Sequence, residues 1–214
     1  MLFFRHMTEK HFINAHTLLI DSFRLARKIL ESGFRPNFIV GIWRGGTPIG
    51  IAVQEFLDFF GISTDHIAIR TSAYEGIDRP GKQILVHGLN YLIKNVEAED
   101  ALLIVDDVYD TGLSIQAVID KIRDESRRNT PTDIRIATVF FKPSRNKTAR
   151  SPDFYIHETD KWLVFPHELN GLTPDEIRCH KAEVADIFAG LPFPPAGGAS
   201  HENKPRIRHP DTEE

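Results

Sequence analysis

Apolar residues recur along this chain at two different periods, which divides it into alternating helices and strands. Over Thr8 to Ser32 they fall on one stripe (Ala15, Leu18, Leu19, Ala26, Ile29, Leu30), which predicts a helix closed by Gly33. Asn37 to Ile42 predicts a strand. Thr47 then sits where an N-cap belongs, with Pro48 at the first helical position, so a helix is expected to Phe60, stopping at Gly61. His66 to Arg70 and Gln83 to Val86 read as further strands. Leu102 to Val105 is aliphatic throughout, as in a strand buried on both faces of a parallel sheet. A turn is expected over Val108 to Gly112, then a helix with Ile115, Val118, Ile119 and Ile122 on one face. Ile134 to Phe141 predicts a strand, and Phe154 to His157 and Trp162 to Phe165 predict shorter ones. Thr173-Pro174-Asp175-Glu176 is a capping box for a late helix reaching about Phe188.

This alternation implies an α/β fold, a mainly parallel, twisted, doubly wound sheet flanked by helices. The two short late strands would form a small appended lobe at about 152–170. One domain is expected over 1–190. Pro, Gly, His and charge dominate from Leu191, which predicts a flexible tail over 191–214.

Composition narrows the class. With 214 residues, 41% of them hydrophobic, the chain can bury a sizeable core as one domain. A net charge of −4 gives no general attraction to nucleic acid or to an anionic membrane. The single Cys179 excludes an intrachain disulfide and suits a reducing, cytoplasmic setting. Met1-Leu2-Phe3-Phe4 is too short for a signal peptide, and no apolar run approaches transmembrane length.

Candidate chemistry concentrates at strand ends. Leu102 to Val105 runs into two adjacent carboxylates, Asp106 and Asp107, and Thr111-Gly112-Leu113-Ser114 opens the helix beyond. Ligands of open α/β sheets sit at the carboxyl ends of such strands. The Thr111–Ser114 segment can aim backbone N–H groups and two hydroxyls at one point, at the positive end of a helix, and so cradle a phosphate. Carboxylates beside that cradle suit a sugar phosphate, since they accept from ribose hydroxyls. A Walker loop, which ends in Lys-Ser/Thr, is absent.

This order of apolar strand, two acids, two spacers, Asp110, Thr-Gly, a spacer and Ser resembles the phosphoribosyl pyrophosphate (PRPP) signature of the type I phosphoribosyltransferases. Arg44-Gly45-Gly46, a weak motif alone, follows a strand and so resembles that family's pyrophosphate loop. The polar stretch Ile67 to Lys82 resembles its mobile closing loop, although Ser72 and Tyr74 are separated by Ala73 rather than adjacent. Lys142, at the end of a strand, is by itself an ordinary solvated charge. In purine-using members a Lys at this place donates to the oxygen at purine position 6. Trp162 and Leu163 match the stacking aromatic and the aliphatic whose backbone reads the base edge. Phe165-Pro166-His167-Glu168 resembles the xanthine/guanine branch, with His167 in place of an aromatic.

The resemblance covers about 36–170. It implies a purine phosphoribosyltransferase that uses PRPP and Mg²⁺, with hypoxanthine, guanine or xanthine as acceptor, and a homodimer or homotetramer. It assigns Arg44, Gly45 and Gly46 to pyrophosphate and Asp106 and Asp107 to the ribose, with Asp107 a metal ligand. Thr111, Gly112, Leu113 and Ser114 fall to the 5′-phosphate, Asp110 to the general base, and Lys142 to the acceptor oxygen. Glu168 is the nearest candidate to accept from an amino group at purine position 2. A PRPP-binding regulator without turnover, or an enzyme for another nucleobase, would share much of this pattern.

Overall fold

The computed structural model of the chain describes residues 10–75, 82–188 and 190–192. The first helix opens later than its apolar stripe suggests. Lys10–Phe12 form a strand, β1, and helix α1 spans Ala15–Glu31. Asn14 sets that boundary, because its side chain accepts from the N–H groups of His16 and Thr17 at 2.8 and 3.3 Å. Strand β2 (Phe38–Trp43) leads into helix α2 (Gly46–Phe59). Thr47 does not cap α2. Gly45 takes the N-cap position and Gly46 is already helical, so the N–H of Thr47 bonds Arg44 O at 3.3 Å within the first turn.

Strands β3 (Asp65–Glu75) and β4 (Lys82–His87) form an antiparallel pair. Ser72 and Tyr74, expected on a loop, lie on β3; the stretch 76–81, with Gly76 and Arg79-Pro80-Gly81, falls outside the described residues. A short helix, α3 (Asn90–Asn95), escapes the hydrophobic pattern because Leu92 is its one buried side chain. Strand β5 (Ala101–Tyr109) runs four residues beyond the aliphatic segment. Where a turn from Val108 was expected, Val108 and Tyr109 instead pair with Phe140 and Phe141 of β6 (Asp133–Phe141). Helix α4 (Leu113–Ser126) lies between β5 and β6, and β7 (Phe154–Glu158) and β8 (Trp162–Val164) follow.

The main sheet has the order β4-β3-β2-β5-β6-β7 and is parallel except for β3 with β4. The two late strands do not form a lobe together. β7 extends the main sheet, and β8 pairs in parallel with β1, far away in sequence. Two cores flank the sheet. Leu25 and Ile29 of α1 and Ile49, Val53 and Leu57 of α2 pack with Leu103 and Val105 on one face, where Leu163 and Phe165 join them. Leu92 of α3 and Val118, Ile119 and Ile122 of α4 pack with Leu102 and Ile104 on the other. The aliphatic run of β5 is thus buried on both sides, as its composition implies.

The chain forms two compact units, Met1–Phe165 and Pro166–Glu214. In the second, the Thr173 capping box is present, with Glu176 N donating to Thr173 Oγ1 at 3.2 Å and Thr173 N to Glu176 Oε2 at 2.8 Å. The late helix is nevertheless broken at Lys181 into α5 (Pro174–His180) and α6 (Ala182–Ile187). Among the described residues no helix is long and apolar enough to cross a membrane.

Candidate active site

Adjacent strands β2 and β5 send their following helices to opposite faces of the sheet, α2 to one and α4 to the other. Their carboxyl ends therefore bound the crevice where α/β sheets bind ligands. Four segments reach this edge: the turn after β2, the end of β5, the turn after β6 and the turn after β7.

The turn after β2 carries Arg44, Gly45 and Gly46, and its Trp43–Arg44 peptide is cis. Arg44 is exposed. The two glycines are required by close approach to β5. A Cβ on Gly45 would fall on the Asp107 carboxylate, and one on Gly46 would meet Val105 O and, at 2.9 Å, Asp106 Cα. The neighbouring Thr47 buries its Oγ1 without a hydrogen-bond partner.

Asp106 and Asp107 stand at this contact. The N–H of Asp107 donates to Asp106 Oδ1 at 3.0 Å and that of Val108 to Asp107 Oδ1 at 2.7 Å. Asp106 is half-buried. That burial pushes the Asp106 carboxyl well above the ordinary carboxylate range, and the charge of Asp107 pushes it the same way. Backbone N–H groups of Asp107 and Gly46 act in the opposite sense.

Gly112 precedes α4 in the left-handed region, at φ 75°, and no side chain caps the helix. Thr111 Oγ1 accepts from Leu113 N at a long 3.4 Å. Leu113 is exposed and Ser114 half-buried. A Cβ at Gly112 would meet the Tyr109 ring at 2.7 Å. Tyr109 is buried under the loop, edge-on to Phe141 at 5.7 Å, with its hydroxyl bonded to Thr148 Oγ1 at 2.8 Å and Arg150 O at 3.1 Å. The backbone N–H groups of the first turn thus gather at the helix N-terminus, above a buried tyrosine.

The turn after β6 brings cations to Asp110. Lys142 is 5% exposed, so it is not a solvated strand-end charge, and its Nζ lies 3.4 Å from Asp110 Oδ2. Arg145 Nε lies 2.8 Å from Asp110 Oδ1. That contact is an ion pair and not a hydrogen bond, since the buried Oδ1 has no hydrogen-bond donor among the described residues.

The turn after β7 is docked on this region: Thr159 N donates to Phe141 O at 3.0 Å, and the Ser144 hydroxyl donates to Asp160. It leads to β8, where Trp162 is 54% exposed and Leu163 is buried. Ser72 Oγ lies 3.4 Å from His87 Nε2 on the β3–β4 pair; the Tyr74 side chain lies outside the described residues. Glu168 belongs to the second unit. His157 pairs with the buried Asp21 at 2.7 Å. A separate cleft lined by Arg123, Arg135 and Arg150 lies at the amino-terminal end of β6, away from these groups.

Tyr109 and Arg145 were not legible as site residues. The one cue for Tyr109 is that strand-favouring residues continue past the acids. For Arg145 it is its place three residues after Lys142 across a Pro turn.

Among the described residues no group of three or more His, Cys, Asp or Glu could hold a metal ion alone. The Asp106–Asp107 oxygens fit Mg²⁺ in another way, because this hard cation takes one or two carboxylates and completes its shell with water and phosphate oxygens.

Residues 12–170 match the family model described as a phosphoribosyl transferase domain. A purine phosphoribosyltransferase from Pyrococcus horikoshii is 28% identical with a TM-score of 0.61, over 77% of this chain and 97% of that one. A hypothetical protein from Neisseria gonorrhoeae with bound ppGpp superposes with a TM-score of 0.67 at 17% identity, covering 85% and 98%. A xanthine-guanine-hypoxanthine phosphoribosyltransferase from Helicobacter pylori gives 0.56 at 20% identity, covering 76% and 96%, a likeness of fold. No curated protein matches the sequence.

Proposed function

Because the chain belongs to the phosphoribosyl transferase family, we propose that it transfers the phosphoribosyl group of PRPP to a 6-oxopurine and releases pyrophosphate. The observation that carries the acceptor half is the Lys142–Asp110 pair, a buried cation 3.4 Å from a carboxylate whose side chain is partly exposed. Such a pair offers a donor for an exocyclic oxygen beside an acceptor for a ring N–H.

In this reading the 5′-phosphate occupies the α4 N-terminus, on the backbone of Gly112 and Leu113 and the hydroxyls of Thr111 and Ser114. Asp106 and Asp107 accept from the ribose hydroxyls. Arg44 and the backbone at Gly45 and Gly46 hold pyrophosphate. Asp107 would help to hold Mg²⁺, which would supply positive charge to offset that of the pyrophosphate. Trp162 stacks on the base, the Leu163 backbone reads its edge, and Lys142 donates to its 6-oxygen. Ser72 and Tyr74 lie on the hairpin that would cover the reacting carbon and keep water from it. The purine nitrogen forms its bond to ribose C1′ as the bond from C1′ to pyrophosphate breaks. Asp110 removes the proton that this nitrogen can no longer carry. Positioning and charge stabilisation supply the rate.

Turnover with PRPP, Mg²⁺ and each of hypoxanthine, guanine, xanthine and adenine tests the proposal. Oxopurines should react and adenine should not, because an amino group at position 6 would face the Lys142 ammonium with no acceptor between them. Adenine turning over as well as hypoxanthine would refute the acceptor assignment. PRPP binding without turnover on any base would point to a regulator.

A further inference from the structure

Asp110 is gripped from one turn by two cations, and the second has no part in the chemistry above. Lys142 approaches Oδ2, and Arg145 approaches Oδ1 at 2.8 Å. We infer that Arg145 is a positioning residue for Asp110: with Lys142 it fixes the rotation of the carboxylate, with Oδ1 turned inward against Arg145 and Oδ2 toward Lys142. This inference rests on Asp110 being the base in the proposed reaction.

Three observations carry it. The first is the geometry of the contact. Arg145 Nε is close enough for a strong charge interaction, yet its N–H is not aimed at Oδ1, which remains buried without a donor. A buried carboxylate oxygen in that condition is unfavourable unless a cation lies beside it. Arg145 therefore holds this inward-turned oxygen in place by its charge.

The second is that Arg145 is not a drifting surface arginine. Its N–H bonds Lys142 O at 3.1 Å in a tight turn opened by Pro143. Just beyond, Asn146 Nδ2 donates to Arg150 O at 2.7 Å and Thr148 N to Asn146 Oδ1 at 2.9 Å. Lys147 N donates to Thr111 O at 3.0 Å, and Thr148 Oγ1 meets the Tyr109 hydroxyl at 2.8 Å. The turn bearing both cations is thus tied to the phosphate loop and to the tyrosine beneath it.

The third is exposure. The Arg145 side chain is about half exposed, and ion pairs of that kind contribute little to stability. Its value lies in orientation, where a small misplacement of a base slows proton transfer more than it loosens the fold.

The test uses the full chain with Arg145→Gln and Arg145→Lys, alone and combined with Asp110→Asn. Arg145→Gln should lower kcat on the best oxopurine about tenfold, the scale of coupling between groups in contact. PRPP affinity measured by calorimetry and the melting temperature should barely change. Arg145→Lys should recover part of kcat, since it keeps the charge but not the planar fork. In the Asp110→Asn background Arg145→Gln should have no further effect. An unchanged or increased kcat, or the same loss with Asp110 already replaced, would overturn the positioning role. Failure of the wild-type chain to turn over any purine would remove the proposed function and this inference together. Wild-type turnover with an indifferent Arg145→Gln would remove the inference alone.

Discussion

On the side of the site proposed to hold the phosphoribosyl donor, Gly45, Gly46 and Gly112 let backbone lie against Asp107, Val105 and Tyr109 with no room for a methyl group. On the acceptor side, Lys142, Arg145 and Trp162 project from turns and from the edge of a two-stranded sheet, and Trp162 is 54% exposed. One half is backbone fitted to a strand; the other is side chains brought together by docking of distant turns. Backbone N–H groups suit phosphates, which all donors share, whereas side chains can be exchanged to suit a particular base. The donor half should therefore respond to substitution through folding and PRPP affinity, and the acceptor half through turnover and base affinity.

The sharpest separation of the halves is Asp110→Asn. PRPP affinity by calorimetry should stay near wild type while turnover falls roughly 10²–10⁴-fold, the usual contribution of a general base. A parallel loss of PRPP affinity would mean that Asp110 belongs to the donor side.

Two substitutions in one helix probe the donor side. At Gly46 a Cβ would press on the Val105 carbonyl and the Asp106 backbone, neither of which can yield. Gly46→Ala should destabilise by roughly 3 kcal/mol, at the upper end of overpacking, and weaken PRPP binding with it. At Gly50 the added Cβ would meet Gly41 Cα at an ordinary 3.9 Å. Gly50→Ala should be harmless or stabilise by about 0.5–1 kcal/mol through helix propensity. Denaturant unfolding of both variants reads the contrast; equal responses would show that the turn relaxes and the glycine argument fails.

The same division explains what could be read before the structure. The acids, Thr111 and Gly112 occupy one contiguous segment, so their common place between β5 and α4 was legible, as was the doubly wound sheet. The parallel pairing of β1 with β8 was not, because three-residue strands about 150 positions apart leave no periodic trace. Nor was the contact of Tyr109 with Thr148, 39 residues on, or that of Arg145 with Asp110. Thr47 misled for a local reason: the residue types of a cap were present, but two glycines let the helix begin sooner.

Trp162 tests the acceptor half by a smaller effect. As an exposed side chain it should contribute little to stability. Trp162→Ala should leave the melting temperature and PRPP affinity alone and raise KM for the base roughly 5–150-fold, equivalent to about 1–3 kcal/mol of stacking. A large loss of stability with unchanged base KM would make Trp162 a packing residue of the β1–β8 sheet.

The smallest effect concerns stability, and its sign is informative. Burial, reinforced by the Asp107 charge, holds the Asp106 carboxyl well above its unfolded value near about 3.9. Below that unfolded value both states are protonated and no penalty arises. As pH rises past it, the unfolded chain releases the proton while the native chain retains it, so stability declines until the pH passes the folded value. Asp106→Asn removes the titration. In Mg²⁺-free buffer it should raise the melting temperature at pH 7 and give no such gain near pH 3, while PRPP binding weakens. A melting temperature lowered at pH 7 would mean that the ionised carboxylate is stabilised in the folded protein. The donor half would then hold Asp106 through its own backbone N–H groups, and not at the expense of the fold.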